Sequence, residues 1–485
     1  MRTKSTLAII AVLVIIPLCT APFMNTAGAA LPNIVVILTD DQGYADISLN
    51  PHHPKEVSTP HMDALATDGV FFSQAYTSGH VCSPTRAGLM LGRYQQRVGV
   101  YSAGDGGRGF DPKLPIFPSF LPNSYVAGAF GKWHLGLDDD YPELKWHAMS
   151  RGFDECYKFM GRGAHSYFDL RSDSEGKFKG AIYRNKERIN DEGYLTDRLS
   201  EEAVAFIDRH KTQPFFLYLA YNAVHAPPEA PPATLDEYRQ RFPDISKERV
   251  ILMAMLKHLD DGIGAVVGKL KQEKLFDNTL LFFLTDNGGA KAMNADNTPL
   301  RGFKGSLYEG GIRTPFIVSW PDRFSGKRTI DSPVISLDIL PTVLDATSVT
   351  PPHEPPFDGK SLLPLLTGQS QVHHDTLFWC KEGGNWAVRR SNWKLQHLKG
   401  KKELFNLKDD PSESTNLAAQ QPDMVKTLNQ AFEEWILPMA DPITGGSKSS
   451  KAEAQSVKQT ERQKAKLKQR LERKQKRDAD KNTTP

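Results

Sequence analysis

The sequence predicts an α/β fold: a large central, mostly parallel sheet flanked by helices, with a small C-terminal α+β domain. Three observations carry that prediction. Four short apolar runs each stop abruptly at charged or imidazole-bearing residues. Helical patterns lie between them, and such alternation marks a parallel sheet with right-handed crossovers. At 485 residues, the chain can bury a large core and still supply a second, smaller domain.

The first segment stands apart from that core. Arg2 and Lys4 precede an apolar run from Leu7 to Leu18, and Ala27-Gly28-Ala29-Ala30 follows. This is the pattern of a secretory signal peptide over residues 1–30, cut near Ala29 or Ala30. The rival is a retained membrane anchor, but the run is short for a span of about 20 residues. Leu18 is also bulky where lipid attachment at Cys19 would need a small neighbour. No later stretch reads as transmembrane, so an exported protein is expected.

The four runs follow in order. Asn33-Ile34-Val35-Val36-Ile37-Leu38-Thr39 ends in Asp40-Asp41-Gln42-Gly43. Tyr125 to Phe130 ends in Gly131-Lys132-Trp133-His134, and Pro214 to Ala220 leads to Val224-His225-Ala226-Pro227. Thr279 to Thr285 ends in Asp286-Asn287-Gly288-Gly289. Continuous apolar runs of this length fit strands buried on both faces. Thr196 to His210 and Val250 to Leu275 read as helices, and Thr314 to Trp320 as a further strand after a Gly-rich loop carrying Lys304. Ligands in such sheets bind beyond the carboxyl ends of the strands. One charged ending would be an ordinary turn; four together indicate a single site.

A second pattern is Cys82-Ser83-Pro84-Thr85-Arg86. Pro84 suits the first turn of a helix, where no backbone N–H is needed. The free N–H groups of that turn can meet an anion. Arg86 follows Cys82 by one helical turn, so both can face the same ligand.

The polar endings also make chemical sense together. Asp40, Asp41, Asp286 and Asn287 supply hard oxygen ligands. Adjacent carboxylates repel unless a positive charge sits between them. An oxygen-rich set without a His or Cys cluster suits calcium or magnesium better than zinc. Taken singly, each pair is an ordinary cap or Asn-Gly turn; the combination favours a metal. Lys132, His134, His225 and Lys304 are the remaining candidates around it.

Cysteine and charge set further bounds. Of four cysteines, Cys19 leaves with the signal and Cys82 belongs to the motif, so Cys156 and Cys380 remain to pair or stay free. Residues 451–485 hold 12 Lys or Arg against 5 Asp or Glu, whereas the whole chain is only +3. Basic character is therefore a property of the tail, and a nucleic-acid enzyme is not implied. With Val457, Leu467 and Leu471 as its large apolar residues, the tail cannot form a core of its own. It reads as a solvated, partly helical appendage, or as an electrostatic tether to acidic polysaccharide.

From Asn33 to about Leu417 the chain resembles the formylglycine-dependent sulfatase family. The resemblance rests on motifs in the family's order: Thr39 to Gly43, Cys82 to Arg86, Gly131 to Gly136, His225-Ala226-Pro227, Asp286-Asn287-Gly288 and Arg301-Gly302-Phe303-Lys304-Gly305. Trp393-Lys394-Leu395, Glu403 to Leu407 and Asp410 to Leu417 match the family's small C-terminal domain. The resemblance implies an alkaline-phosphatase-like fold, with residues 31–370 catalytic, 371–444 a small domain and 445–485 the tail. It implies conversion of Cys82 to formylglycine by a maturation enzyme. One calcium would be held by Asp40, Asp41, Asp286, Asn287 and the modified residue 82. Arg86, Lys132, His134, His225 and Lys304 would surround the sulfate.

The mechanism implied uses the hydrated aldehyde of residue 82 as nucleophile on sulfur. Lys132, Lys304 and the metal neutralise charge, and His225 protonates the leaving oxygen. His134 then deprotonates the second hydroxyl, expelling sulfate and restoring the aldehyde. Two departures stand out: Ser124-Tyr125-Val126-Ala127 replaces the usual Gly-Tyr-x-Thr, and His80 stands where a small residue is usual. The rivals are a phosphatase or phosphodiesterase on the same fold and a non-catalytic binder of sulfated glycans. A sulfated carbohydrate is the expected substrate, with Ser102 to Phe110 and Met160 to Ser174 as candidate specificity loops.

Overall fold

The computed structural model describes residues 30–137, 143–159, 163–173, 178, 180–352 and 355–443, and in the tail 461–462, 464–469 and 472–473. The signal-peptide reading and Cys19 lie outside the described residues. No helix among the described residues is long and apolar enough to cross a membrane.

Ten strands form the main sheet: β1 (Asn33–Thr39), β2 (Val70–Phe72), β4 (Val126–Lys132), β5 (Glu155–Phe159), β6 (Ile182–Arg184), β7 (Glu187–Ile189), β8 (Phe215–Ala220), β9 (Thr279–Thr285), β10 (Phe316–Ser319) and β11 (Arg328–Ile330). Their order is β11-β2-β10-β9-β1-β8-β4-β5-β6-β7. The five central strands, β9 through β5, run parallel; β10 and β6 flank them antiparallel, and β2 and β11 pair in parallel at one edge. Every residue of β1, β8 and β9 is buried, as expected of strands covered on both faces. Register is continuous, with Val36 opposite Tyr218 on one side and Phe282 on the other. β3 (Ala75–Tyr76) and β12 (Val334–Ile335) form a separate pair.

Helices cover the faces where the apolar periodicity placed them. Leu195–His210 matches its prediction to one residue. The helix predicted to run to Leu275 instead spans Lys247–Gln272. Lys274 adopts φ 59°, and the Leu275 and Phe276 amides both turn back to the Leu270 carbonyl. That left-handed closure ends the helix although the apolar spacing continues. At the other end, the Ser246 side chain accepts the Arg249 N–H as an N-cap.

The small C-terminal part is an antiparallel meander, β13 (Thr376–Lys381), β14 (Asn385–Arg390), β15 (Trp393–Leu398) and β16 (Lys401–Asn406), under the helix Pro422–Ile436. Trp386 stacks on Phe432 at 4.3 Å, and Val388, Leu395, Leu404 and Leu428 fill the space between. Leu467 of the tail is buried in the same cluster beside Tyr101 and Cys380. One apolar side chain cannot found a core, but it can dock on an existing one. Cys156 and Cys380 are both free and buried.

Candidate active site

The strand ends meet because their ladders continue past the strands. The Asp286 N–H donates to the Thr39 carbonyl, the Asp40 N–H to Ala223, and the Val224 N–H to Asp40. Asp40, Asp286 and the residues leading to His225 are thereby stitched side by side. Asp41 has φ 62°, a conformation that Asp tolerates better than most residues and that turns the chain sharply after β1. Gln42 holds this turn by accepting from the Thr39 hydroxyl and donating to the Asp46 carbonyl. At the next strand end, a Cβ on Gly288 would fall 1.9 Å from the Gly310 carbonyl oxygen, so only glycine fits.

Cys82 opens a fully buried helix, Cys82–Leu91, with Pro84 in its first turn as predicted. Ser83 fixes that turn against the neighbouring loop by donating to the His134 carbonyl. One turn on, Arg86 donates from Nε and Nη2 to Asp286 Oδ2 at 2.9 and 2.7 Å, and from Nη1 to the Lys132 carbonyl at 2.7 Å. Lys132 Nζ donates to Asp40 Oδ2. Lys304 Nζ lies 2.6 and 2.9 Å from the two oxygens of Asp41. Asn287 donates to Asp41 Oδ1 at 2.7 Å, and His225 Nε2 lies 3.6 Å from Asp41 Oδ2. Ligand atoms of Asp40, Cys82 and Asp286 fall within 4.8 Å of one another. The structure thus brings Asp40, Asp41, Cys82, Arg86, Lys132, His225, Asp286, Asn287 and Lys304 together.

His134 joins them from the loop after β4. It is buried, and its Nδ1 has no hydrogen-bond partner among the described residues. Its ring is flanked by two glycines. A Cβ on Gly163 would lie 2.8 Å from it, and one on Gly107 would lie 3.5 Å away. Both candidate specificity loops therefore meet at this imidazole. Tyr167, fully buried, donates to the His225 carbonyl at 2.8 Å and lies 2.9 Å from the Asn222 carbonyl. Neither Gly163 nor Tyr167 was singled out from sequence. Their stretch was marked only as a loop, and nothing local shows which histidine a distant tyrosine supports.

The electrostatics are those of crowded like charges. Burial and the nearby Asp286 carboxylate push Asp40 above its ordinary range. Burial also opposes ionisation of Asp41, but Lys304, His225 and Lys132 outweigh it and hold this carboxyl down. Burial, then Lys132 and Arg86, drives His134 well below the usual imidazole range. His225 is held down to about 4, mainly by burial. Both imidazoles are neutral at pH 7. Three buried oxygens, Asp40 Oδ1, Asp286 Oδ1 and Asn287 Oδ1, have no hydrogen-bond partner among the described residues. Orphaned buried oxygens are costly unless something accepts their lone pairs. This all-oxygen set fits a hard divalent cation.

Residues 32–349 match the family model described as Sulfatase, and residues 303–437 match one described as N-sulphoglucosamine sulphohydrolase, C-terminal. The N-acetylgalactosamine-6-sulfatase of Mus musculus is 31% identical over 397 residues, covering 76% of this chain and 72% of that protein. The Escherichia coli (strain K12) protein named Uncharacterized sulfatase YdeN is 28% identical over 505 residues, covering 85% of this chain and 87% of that one. The crystal structure of Ps i-CgsB in complex with k-i-k-neocarrahexaose aligns with a TM-score of 0.81 at 32% identity, over 90% of this chain and 99% of that chain. The family match spans the whole main sheet and its site loops, and the structural likeness reaches into the small sheet. The chain belongs to the sulfatase family and is a sulfuric ester hydrolase on an alkaline-phosphatase-like fold.

Proposed function

We propose that this sulfatase removes sulfate from a sulfated carbohydrate, with residue 82 converted from Cys to formylglycine and one calcium bound beside it. The observation that carries the reading is a buried carboxylate cluster, two of its members grouped with Cys82, that is paired with three cationic side chains and still holds three orphaned oxygens. Asp40, Asp41, Asp286, Asn287 and residue 82 would hold the ion. An ion bound there would supply positive charge to offset the negative charge of the reacting groups. The aldehyde, as its hydrate, supplies one hydroxyl for attack on sulfur and a second through which sulfate is expelled.

The remaining work belongs to the chain's own residues. Arg86 is fixed by Asp286 and the Lys132 carbonyl, so it presents charge to the nucleophile without reorganising. Lys132 and Lys304 share their charge with Asp40 and Asp41, and would neutralise charge on the sulfuryl oxygens. His225 donates from Nδ1 to the Ala226 carbonyl at 2.8 Å, which leaves Nε2 toward the site; the negative charge of a bound sulfate ester would favour a proton there, and the imidazolium so formed would protonate the departing oxygen. Tyr167 holds the backbone of that histidine. Neutral His134 is suited to accept the proton of the second hydroxyl.

Carbohydrate is favoured because the named relatives include N-acetylgalactosamine-6-sulfatase and a protein solved with k-i-k-neocarrahexaose. The N-terminal pattern favours export, to a compartment where such polymers are met. The test has two parts. Peptide mass spectrometry across residue 82 of active protein should show oxygen in place of sulfur. Desalted enzyme should release sulfate from some member of a panel of position-defined sulfated sugars. Fully active protein carrying an unmodified Cys82 would overturn the mechanism, and inactivity on the whole panel would overturn the substrate class.

A further inference from the structure

A second cluster of ligating groups lies away from the catalytic site, where the chain passes from the main sheet to the small one. Asp338 ends the short turn Ser336–Asp338 before the helix Ile339–Ala346, and it is fully buried. His373 and His374 lie just before β13. Though adjacent in sequence, both imidazoles reach the same carboxylate. His374 Nε2 is 2.7 Å from Oδ1, and His373 Nε2 is 3.3 Å from Oδ2. The rings pack edge to face, 4.6 Å apart and inclined at 84°. Each carboxylate oxygen also accepts one backbone N–H, from Lys360 and Ile335, both at 2.9 Å. Those amides fix the carboxylate and leave lone pairs directed at the imidazoles.

His373 supplies the second observation. Its side chain is only 5% exposed, yet among the described residues Nε2 makes no hydrogen bond of acceptable geometry. Two imidazoles and one carboxylate are the donor set of zinc or a similar borderline metal, not of calcium. The nitrogens and the carboxylate oxygen all lie within 4.8 Å of one another. Ligands about 2.1 Å from a tetrahedral ion are roughly 3.4 Å apart. The two imidazoles now meet different oxygens of Asp338, at 3.3 and 2.7 Å, so an ion bound through one oxygen requires one ring to shift toward the other's oxygen.

We propose that Asp338, His373 and His374 bind one zinc-class ion, with water in the fourth position, as a structural staple between the main sheet and the small one. The inference is independent of the catalytic reading. The test is metal analysis of the full-length protein after dialysis against micromolar zinc, compared with His373→Ala, His374→Ala and Asp40→Ala. The proposal expects one zinc per chain, retained in Asp40→Ala and lost in both histidine variants. Zinc lost in Asp40→Ala but kept in His374→Ala would place it in the catalytic site and overturn the proposal. Because a histidine variant could misfold, the wild-type protein is also loaded with cobalt(II). A tetrahedral visible band supports the site. Absence of both zinc and the band means that the imidazoles only hydrogen-bond the carboxylate.

Discussion

Two buried charge clusters in this molecule look alike on paper and differ in one respect. The cluster proposed as catalytic sets Asp40, Asp41 and Asp286 against Arg86, Lys132 and Lys304, almost entirely out of water. The other joins the main and small sheets. Lys394, fully buried, lies 2.8 Å from Glu309 and 2.9 Å from Glu413. The Glu309 N–H donates to Glu413 Oε2, and the Tyr76 hydroxyl donates to Glu309 Oε2. In this cluster Lys394 sits between the two acids, and Glu413 Oε1, which makes no hydrogen bond among the described residues, still has that ammonium 2.9 Å away. In the catalytic cluster the cations occupy one oxygen of Asp40 and of Asp286 and leave the other orphaned. Burial and charge therefore do not distinguish function from architecture. What distinguishes them is whether the cluster is closed by its own residues or still needs a ligand.

The sharpest way to break the comparison is to remove an open carboxylate. Asp286→Ala or Asp40→Ala should lose calcium and lower turnover by more than about a thousandfold while the fold persists. Metal analysis, rate measurement and circular dichroism on one preparation check all three. Retained calcium would show that the orphaned oxygens are not its ligands.

Next in size are the two histidines, each expected to cost about 10²–10⁴-fold in turnover. His225→Ala should lose most on substrates whose leaving alcohol is least acidic. His134→Ala should instead give a burst of released alcohol followed by slow sulfate release. Identical leaving-group dependence and identical bursts in both variants would undo the division of roles.

The closed cluster should answer in stability, not in rate. Lys394→Met strands two buried carboxylates and should cost about 3–5 kcal/mol in denaturant unfolding. Activity per folded molecule on a small sulfate ester should stay unchanged. A large fall in turnover at full folding would mean that the cluster positions the site.

The smallest expected effect concerns pH. Burial, with repulsion from Glu309, raises Glu413 from 4.5 to about 7. A raised carboxyl favours the folded state when protonated. Its contribution is therefore complete below 4.5 and is lost as pH rises through about 7. Glu413→Gln should flatten the decline in unfolding temperature across that window. A decline as steep as in wild type would assign it to other groups.

The catalytic cluster was largely legible in the sequence, and the closed one was not. All of its groups but Lys304, which comes from a Gly-rich loop, stand just past an apolar run or in the first turns of a helix, and strand direction brings such ends to one edge. Glu309 and Glu413 are 104 positions apart, on no shared periodicity. Their meeting depends on how the small sheet docks, which no local pattern encodes. The support given to His225 by Tyr167 escaped for the same reason. The helix end at Gln272 was overrun because apolar spacing continued through Leu275, while the left-handed turn fell on a lysine and not on a glycine.

The docked tail has a consequence for handling the protein. Lys464 donates to the Met439 carbonyl and pairs with Asp441 at 2.7 Å, while Leu467 covers the cluster that contains Cys380. Burial pushes the Cys380 thiol up to about 12, so in the intact chain it is a poor nucleophile. A version shortened to residue 443 loses that cover, and its Cys380 should react faster with a thiol-labelling reagent than in the full chain. Oxidation at that sulfur would then add to the ways in which the shortened protein ages in air.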